Sequence, residues 1–227
     1  MKKILFKIAV KVLPHKYELI FRKLVLGYQL ISSKNSYLVQ SGYVNSRINL
    51  SLKDEHNDYI PWMNYPFIDF LKKRLKSDMT VFEYGSGAST IFFAKRTQKV
   101  ISVEYDKKWY NKIKDLLSNE VSNGIIHYQE LNDSYPLAIE KYMKNETCDV
   151  IIIDGRMRVK CAKVALKYLS DRGVLIIDDT HRDYYTDAIK FYEGKGFKTI
   201  TFKGIKPTGF DTVHTTFIYR DGNCFGV

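Results

Sequence analysis

VFEYGSGAST, residues 81–90, holds the end of a strand, a tight turn and the first turn of a helix. The apolar run closes at Glu83-Tyr84, the chain turns through Gly85-Ser86-Gly87, and Ala88, Ser89 and Thr90 open the helix. Glycines there permit φ > 0 and let a ligand approach the backbone where a Cβ would block it. The next apolar run, VISVE, ends at Glu104. An acid at the end of the second strand can accept hydrogen bonds from both hydroxyls of a ribose.

Outward from this unit, short apolar runs alternate with amphipathic stretches. Strands are expected at 79–84, 100–104, 125–129, 149–153 and 174–177, with helices near 89–95, 107–118, 135–144 and 159–169. Strands separated by helices need crossover connections, so the sheet is parallel and covered on both faces. That is a doubly wound α/β domain, which binds ligands at the carboxyl ends of its strands. After a helix near 184–193, strands at 198–203 and 213–219 follow each other with no helix between them and must run antiparallel. The expected sheet is therefore seven-stranded and mostly parallel, with a C-terminal antiparallel hairpin.

A glycine turn, a following acid and a terminal hairpin together resemble the class I S-adenosylmethionine (SAM)-dependent methyltransferases over residues 79–220. Their acid-x-Gly-x-Gly-x-Gly pattern reads here as Glu83, Gly85, Gly87 and Ser89. The dinucleotide pattern G-x-G-x-x-G would need a glycine at 90, where the chain has Thr90. The resemblance implies SAM as cofactor, held by Gly85, Ser86, Gly87, Ser89, Glu104 and Asp154, with Glu83 holding its amino-acid end through water or backbone groups. The fourth and fifth strands end at Asp154 and at Asp178-Asp179, three like charges that repel unless something positive lies among them. This resembles the metal-dependent small-molecule O-methyltransferases and implies Mg²⁺ on Asp154, Asp178 and Asp179. Arg156, Arg158 and Arg182 are the alternative neutralisers, and Arg156 replaces an acid of some natural-product members. His181 is the candidate general base, beside Asp154. Tyr184 and Tyr185 are candidates to flank an acceptor, while His127 and His214 fall in strand patterns and read as core or surface. The implied reaction is O-methylation of a small molecule or glycan. A non-catalytic Rossmann-like binding protein and an NAD-dependent oxidoreductase are the rival readings.

The rest of the chain is read from composition and charge. With 45% hydrophobic and 27% charged residues it can bury a core, and the composition excludes a disordered, collagen-like or coiled-coil chain. No apolar run is long enough for a transmembrane span. The formal charge of +11 is uneven: residues 1–80 hold 14 basic and 6 acidic residues, against 22 and 19 in 81–227. That argues for a local anionic contact rather than a nucleic-acid groove. Three scattered cysteines suit reduced thiols in the cytoplasm, and the resemblance suggests a bacterial protein.

Residues 1–60 are expected as a helical extension and 61–227 as the SAM-binding domain. Lys3, Lys7 and Lys11 line one face of a basic amphipathic helix over 1–13. Its readings are packing on its own domain or a second subunit, or peripheral contact with the inner membrane face. A second helix is expected over 17–31 and polar loops over 32–60. Trp62 and Tyr65, between two prolines, read either as pocket lining or as a clamp.

Overall fold

Alternation along the strands gives the sheet two apolar faces, and helices cover both. The computed structural model describes residues 14–144 and 146–227. The strands are β1 Thr80–Tyr84, β2 Lys99–Glu104, β3 Gly124–Tyr128, β4 Cys148–Ile153, β5 Leu169–Ile177, β6 Lys198–Ile205 and β7 Thr212–Tyr219. They form one sheet in the order β3-β2-β1-β4-β5-β7-β6. The first five pair in parallel, and β7 runs antiparallel to both β5 and β6. The expected doubly wound sheet with its terminal hairpin is what the chain forms.

The helices are α1 His15–Ser32, α2 Tyr37–Gln40, α3 Tyr43–Asn49, α4 Tyr65–Arg74, α5 Ala88–Ala94, α6 Lys107–Glu120, α7 Ala138–Met143, α8 Arg158–Ala165 and α9 Thr186–Glu193. On one face Phe82, Tyr84, Ile101, Val103, Ile151 and Ile153 pack with Ile139 of α7, Cys161 of α8 and Tyr192 of α9. On the other, Val81, Val100, Val150 and Ile152 pack with Phe67 and Leu71 of α4 and Phe92 and Phe93 of α5. Each buried aliphatic or aromatic side chain of this kind contributes about 1.5–3 kcal/mol, so the two faces dominate stability.

Several boundaries differ from expectation for local reasons. The helix expected from 135 begins at Ala138, because Asn132 Oδ1 accepts from the Ser134 amide at 2.9 Å and Pro136 follows in the turn. β5 starts at Leu169, not 174, pairing with Cys148 before a register irregularity restores Val150 opposite Val174. Residues 32–60 contain α2 and α3, where only loop was expected. Gly42, at φ 80, precedes α3, and a Cβ there would lie 2.4 Å from the Asp54 Cα, so glycine lets the two backbones cross. Asp54 is buried, accepts from the His56 and Asp58 amides and pairs with Lys72 at 2.8 Å. Cys148, Cys161 and Cys224 are buried free thiols.

The boundary expected at residue 60 is crossed by contacts to the loop between β6 and β7. Tyr43 donates to the Gly209 carbonyl at 2.9 Å and Arg47 donates to the Thr208 carbonyl, while Trp62 Nε1, just past the boundary, donates to the Pro207 carbonyl at 2.8 Å. α1 differs: Leu24 is 68% and Tyr28 66% exposed. The basic helix expected over 1–13 lies outside the described residues. Among the described residues no helix is long and apolar enough to cross a membrane.

Candidate active site at the strand switch point

Strand order reverses between β1 and β4, where successive connections leave to opposite sides and open a crevice at the carboxyl edge. Two glycines meet at its floor. Gly85, at φ 96, bonds the Val103 carbonyl at 2.9 Å, and a Cβ on it would lie 3.1 Å from the Gly155 nitrogen. A Cβ on Gly155 would lie 3.0 Å from the Gly85 nitrogen and 2.3 Å from the Tyr135 hydroxyl. Backbone therefore forms the floor where any larger residue would fill it. The cleft above has a volume of about 480 Å³.

On the β1–β2 side, Glu104 is buried. Its Oε1 accepts from the Tyr105 and Asp106 amides at 2.8 and 2.9 Å, and its Oε2 accepts from Ser86 Oγ at 3.0 Å. A carboxylate offers about four acceptor positions, so the three donors that orient this one leave a position on Oε2 for a ribose hydroxyl. Trp109, near the start of α6, donates from Nε1 to the Ser86 carbonyl at 2.8 Å and holds the turn. Ser89 and Gly87 line the same cleft.

Glu83 lies beneath the glycine loop and not in the cleft lining. Strand alternation turns it beneath α5, where its Oε2 accepts from Thr90 Oγ1 at 2.6 Å and Ser102 Oγ at 2.8 Å. Thr90 Oγ1 also accepts from the Gly87 amide at 3.1 Å, so Glu83 braces the loop from below and does not line the cleft. Burial pushes its carboxyl up to about 7.

The β4–β5 side carries the three expected acids, and an arginine organises them. Arg158, buried at the start of α8, donates to the carbonyls of Gly155, Asp154 and Asp178. Its Nη2 lies 2.9 Å from Asp154 Oδ1 and 3.6 Å from Asp179 Oδ2. Asp179, at φ 58, is also paired with Arg182 at 3.2 Å and Lys206 at 3.5 Å. Asp178 turns inward and accepts from Thr215 Oγ1, which itself accepts from Asn64 Nδ2 at 2.8 Å. Burial first, then the neighbouring Asp154 and Asp179 charges, raise Asp178 well above the usual carboxylate range. Asp154 is a quarter exposed, and desolvation outweighs Arg158 to push it up to about 6.

These contacts correct the expected metal set. Asp178 faces a threonine, Arg158 lies between Asp154 and Asp179, and among the described residues no group of three or more His, Cys, Asp or Glu is disposed to hold a metal ion. The residues do not fit Mg²⁺, and a guanidinium supplies the positive charge instead. His181 also departs from expectation. Thr180 bonds the His214 carbonyl at 2.9 Å and Thr216 Oγ1 at 2.8 Å, which pins the loop to β7. His181 is left exposed, its Nδ1 accepting from the His214 amide at 3.5 Å, outside the cleft lining. Tyr185 lines the cleft, and Tyr184 does not. Trp62 both lines the cleft and clamps the hairpin loop.

Asn64, Trp109, Thr215 and Lys206 are cleft or support residues that sequence reading passed over. Arg158 carried a signal: a cation in the first turn of a helix opposes the helix dipole and needs an acid nearby. Asn64 carried another, as a helix-capping residue before Pro66, and its Oδ1 accepts from the Phe67 amide at 3.1 Å.

No protein-family model matches the chain, and no curated protein matches it in sequence. Solved structures do match in fold. The O-methyltransferase TomG from Streptomyces achromogenes, involved in tomaymycin synthesis and solved with SAM, superposes at TM-score 0.56 with 14% identity, over 88% of this chain and 96% of TomG. An O-methyltransferase from Bacillus cereus, solved with SAH, gives 0.55 with 16% identity over 87% and 97%. Precorrin-6y C5,15-methyltransferase from Geobacter metallireducens gives 0.53 with 19% identity over 67% and 86%. The chain has the SAM-dependent methyltransferase fold.

Proposed function

We propose that the protein is a SAM-dependent methyltransferase that methylates a hydroxyl oxygen of a small molecule or glycan, without a metal. The observation that carries this reading is the switch-point cleft, where the Gly85–Gly155 floor lies between Glu104 and Asp154. The donor set fits the cofactor: a bare backbone floor, and an oriented acid with an acceptor position on Oε2 for a ribose hydroxyl. When bound, SAM supplies an electrophilic methyl carbon on a sulfonium. Gly85, Ser86, Gly87, Ser89 and Gly155 border its place, Glu104 holds the ribose, and Glu83 keeps the loop in shape through Thr90.

Asp154 acts as the general base. Arg158 engages Oδ1 and leaves Oδ2 to take the acceptor's hydroxyl proton, and a carboxyl raised to about 6 is ionised at neutral pH yet basic enough to receive it. Alignment in such a cleft can contribute about 7–11 kcal/mol to lowering the barrier. The test is calorimetric titration with S-adenosylhomocysteine and, separately, NAD. Binding of the homocysteine nucleoside is expected; binding of NAD alone would overturn the reading, and nucleoside binding with no turnover in a broad acceptor screen would favour a non-catalytic binding protein.

A peripheral membrane contact belongs to the same proposal, favoured by the exposed apolar side chains of α1 beside a lysine-rich N-terminus. Changing Lys3, Lys7 and Lys11 to Glu is expected to abolish sedimentation with anionic vesicles. Unchanged sedimentation would refute the electrostatic contact.

A further inference from the structure

The cations of the cleft gather on one wall. The β1–β2 wall presents Glu104 and Asp106, whereas Arg156, Arg158, Arg182 and Lys206 line the opposite wall together with Asp154, Asp178 and Asp179, so cations outnumber acids there. Arg158 is consumed by structure, with three carbonyls and two carboxylates around it. The other three cations are not. Arg182 and Lys206 share the single carboxylate of Asp179 with Arg158. Arg156 is exposed, forms no ion pair among the described residues, and donates only from Nε, to the Tyr105 hydroxyl at 3.1 Å.

Lys206 is the most telling. Its side chain is 15% exposed, and its ammonium lies 3.5 Å from Asp179 Oδ1 and 3.9 Å from the centre of the Trp62 ring. Asp179 Oδ1 has no hydrogen-bond partner among the described residues, so the three N–H donors of Lys206 are not spent on it. A largely desolvated cation so poorly matched is costly unless an anion completes its shell. Asp178, hydrogen-bonded to Thr215 and held toward its neutral form, adds little negative charge to this wall. Beside the cations the Trp62 ring is half exposed, with its N–H fixed on Pro207.

From this geometry we infer that the wall formed by Arg156, Arg182 and Lys206 binds the phosphate or carboxylate group of an anionic, ring-bearing acceptor whose ring lies against Trp62. The inference rests on the methyltransferase reading and names its substrate class. Guanidinium groups suit either oxyanion through paired N–H donors. The anion at this wall would hold the acceptor's hydroxyl toward Asp154 and the cofactor side.

The test is calorimetry on the protein preloaded with S-adenosylhomocysteine, using phenyl phosphate, benzoate and phenol as probes. At least one anion is expected to bind about tenfold or more tighter than phenol, and the better of the two identifies the group. Lys206→Gln and Arg156→Gln are each expected to weaken that binding about five- to tenfold while S-adenosylhomocysteine affinity stays within about twofold, and Lys206→Arg should restore it. Equal binding of phenol and the anions would overturn the inference. So would variants that weaken S-adenosylhomocysteine instead, since the cations would then serve the cofactor's carboxylate. Failure of the nucleoside to bind at all would count against the methyltransferase reading; the same probes on the unloaded protein would still read the wall. Trp109→Phe leaves Trp62 as the sole tryptophan, and quenching of its emission by the anion gives a second readout.

Discussion

The two walls of the cleft are built in opposite ways. The β1–β2 wall is short-range: Gly85, Ser86 and Gly87 are consecutive, Glu104 follows within one strand-helix-strand unit, and Ser86 bonds Glu104 directly. The β4–β5 wall is assembled from afar. Asp154, Asp178 and Asp179 end two strands, Arg158 comes from a helix, Lys206 from the hairpin loop and Asn64 from before the first strand, all meeting through ion pairs and the Asn64–Thr215–Asp178 relay. A local wall can hold a cofactor with fixed chemistry. A wall built from several distant segments can be retuned piece by piece, which suits an acceptor.

If that division is right, variants on the two walls should fail differently. The largest effect is expected from Asp154→Asn, which should lower kcat about 10²- to 10⁴-fold with S-adenosylhomocysteine affinity nearly unchanged. In the wild type kcat/KM should rise with pH through about 6 and level off above it, because the base must be ionised. A cofactor-affinity loss of similar size would erase the contrast between the walls. Glu104→Gln should do the reverse, weakening S-adenosylhomocysteine about 10- to 100-fold by calorimetry while the pH profile of turnover keeps its shape.

Beneath the first wall, Glu83 has a carboxyl raised from about 4.5 to about 7 in the folded state, so the native protein holds a proton that the unfolded chain releases. Stability should therefore fall as pH rises between those values, by about 3 kcal/mol, and Glu83→Gln should flatten that slope in urea titrations at pH 5 and pH 8. A slope unchanged in the variant would show that another group titrates. Where the walls meet, Gly155→Ala forces a methyl toward the Tyr135 hydroxyl and the Gly85 backbone. Its expected cost is about 1–3 kcal/mol, seen as a Tm lower by about 2–10 °C.

Legibility in the sequence follows the same division. The glycine turn, Glu104 and the alternation of strands and helices were readable because each rests on spacing within a few residues. The acids at the strand ends, and Arg158 and Arg182 close to them in the chain, were readable as positions but not as a set, since which cation meets which acid depends on how β4, β5 and the β6–β7 loop pack. The metal expected on Asp154, Asp178 and Asp179 gives way to Arg158 because a helix turn brings that guanidinium between two strand ends. His181 reads as a base by its place after β5, yet two hydrogen bonds from Thr180 to β7 leave it outside the cleft. Glu83 reads by pattern as acting on the cofactor side through water or backbone groups, and alternation within β1 sets it under the loop, where Thr90 links it to the Gly87 amide.

By itself the sequence determined the doubly wound sheet, the terminal hairpin and the edge at which a ligand must bind. Periodicity and glycine placement act through local backbone geometry, which needs no knowledge of distant residues. Only the tertiary structure decided which charges face which. Electrostatic pairing depends on distances of 3–4 Å between side chains from separate elements, and those distances exist only once β4, β5, α8 and the β6–β7 loop have packed together.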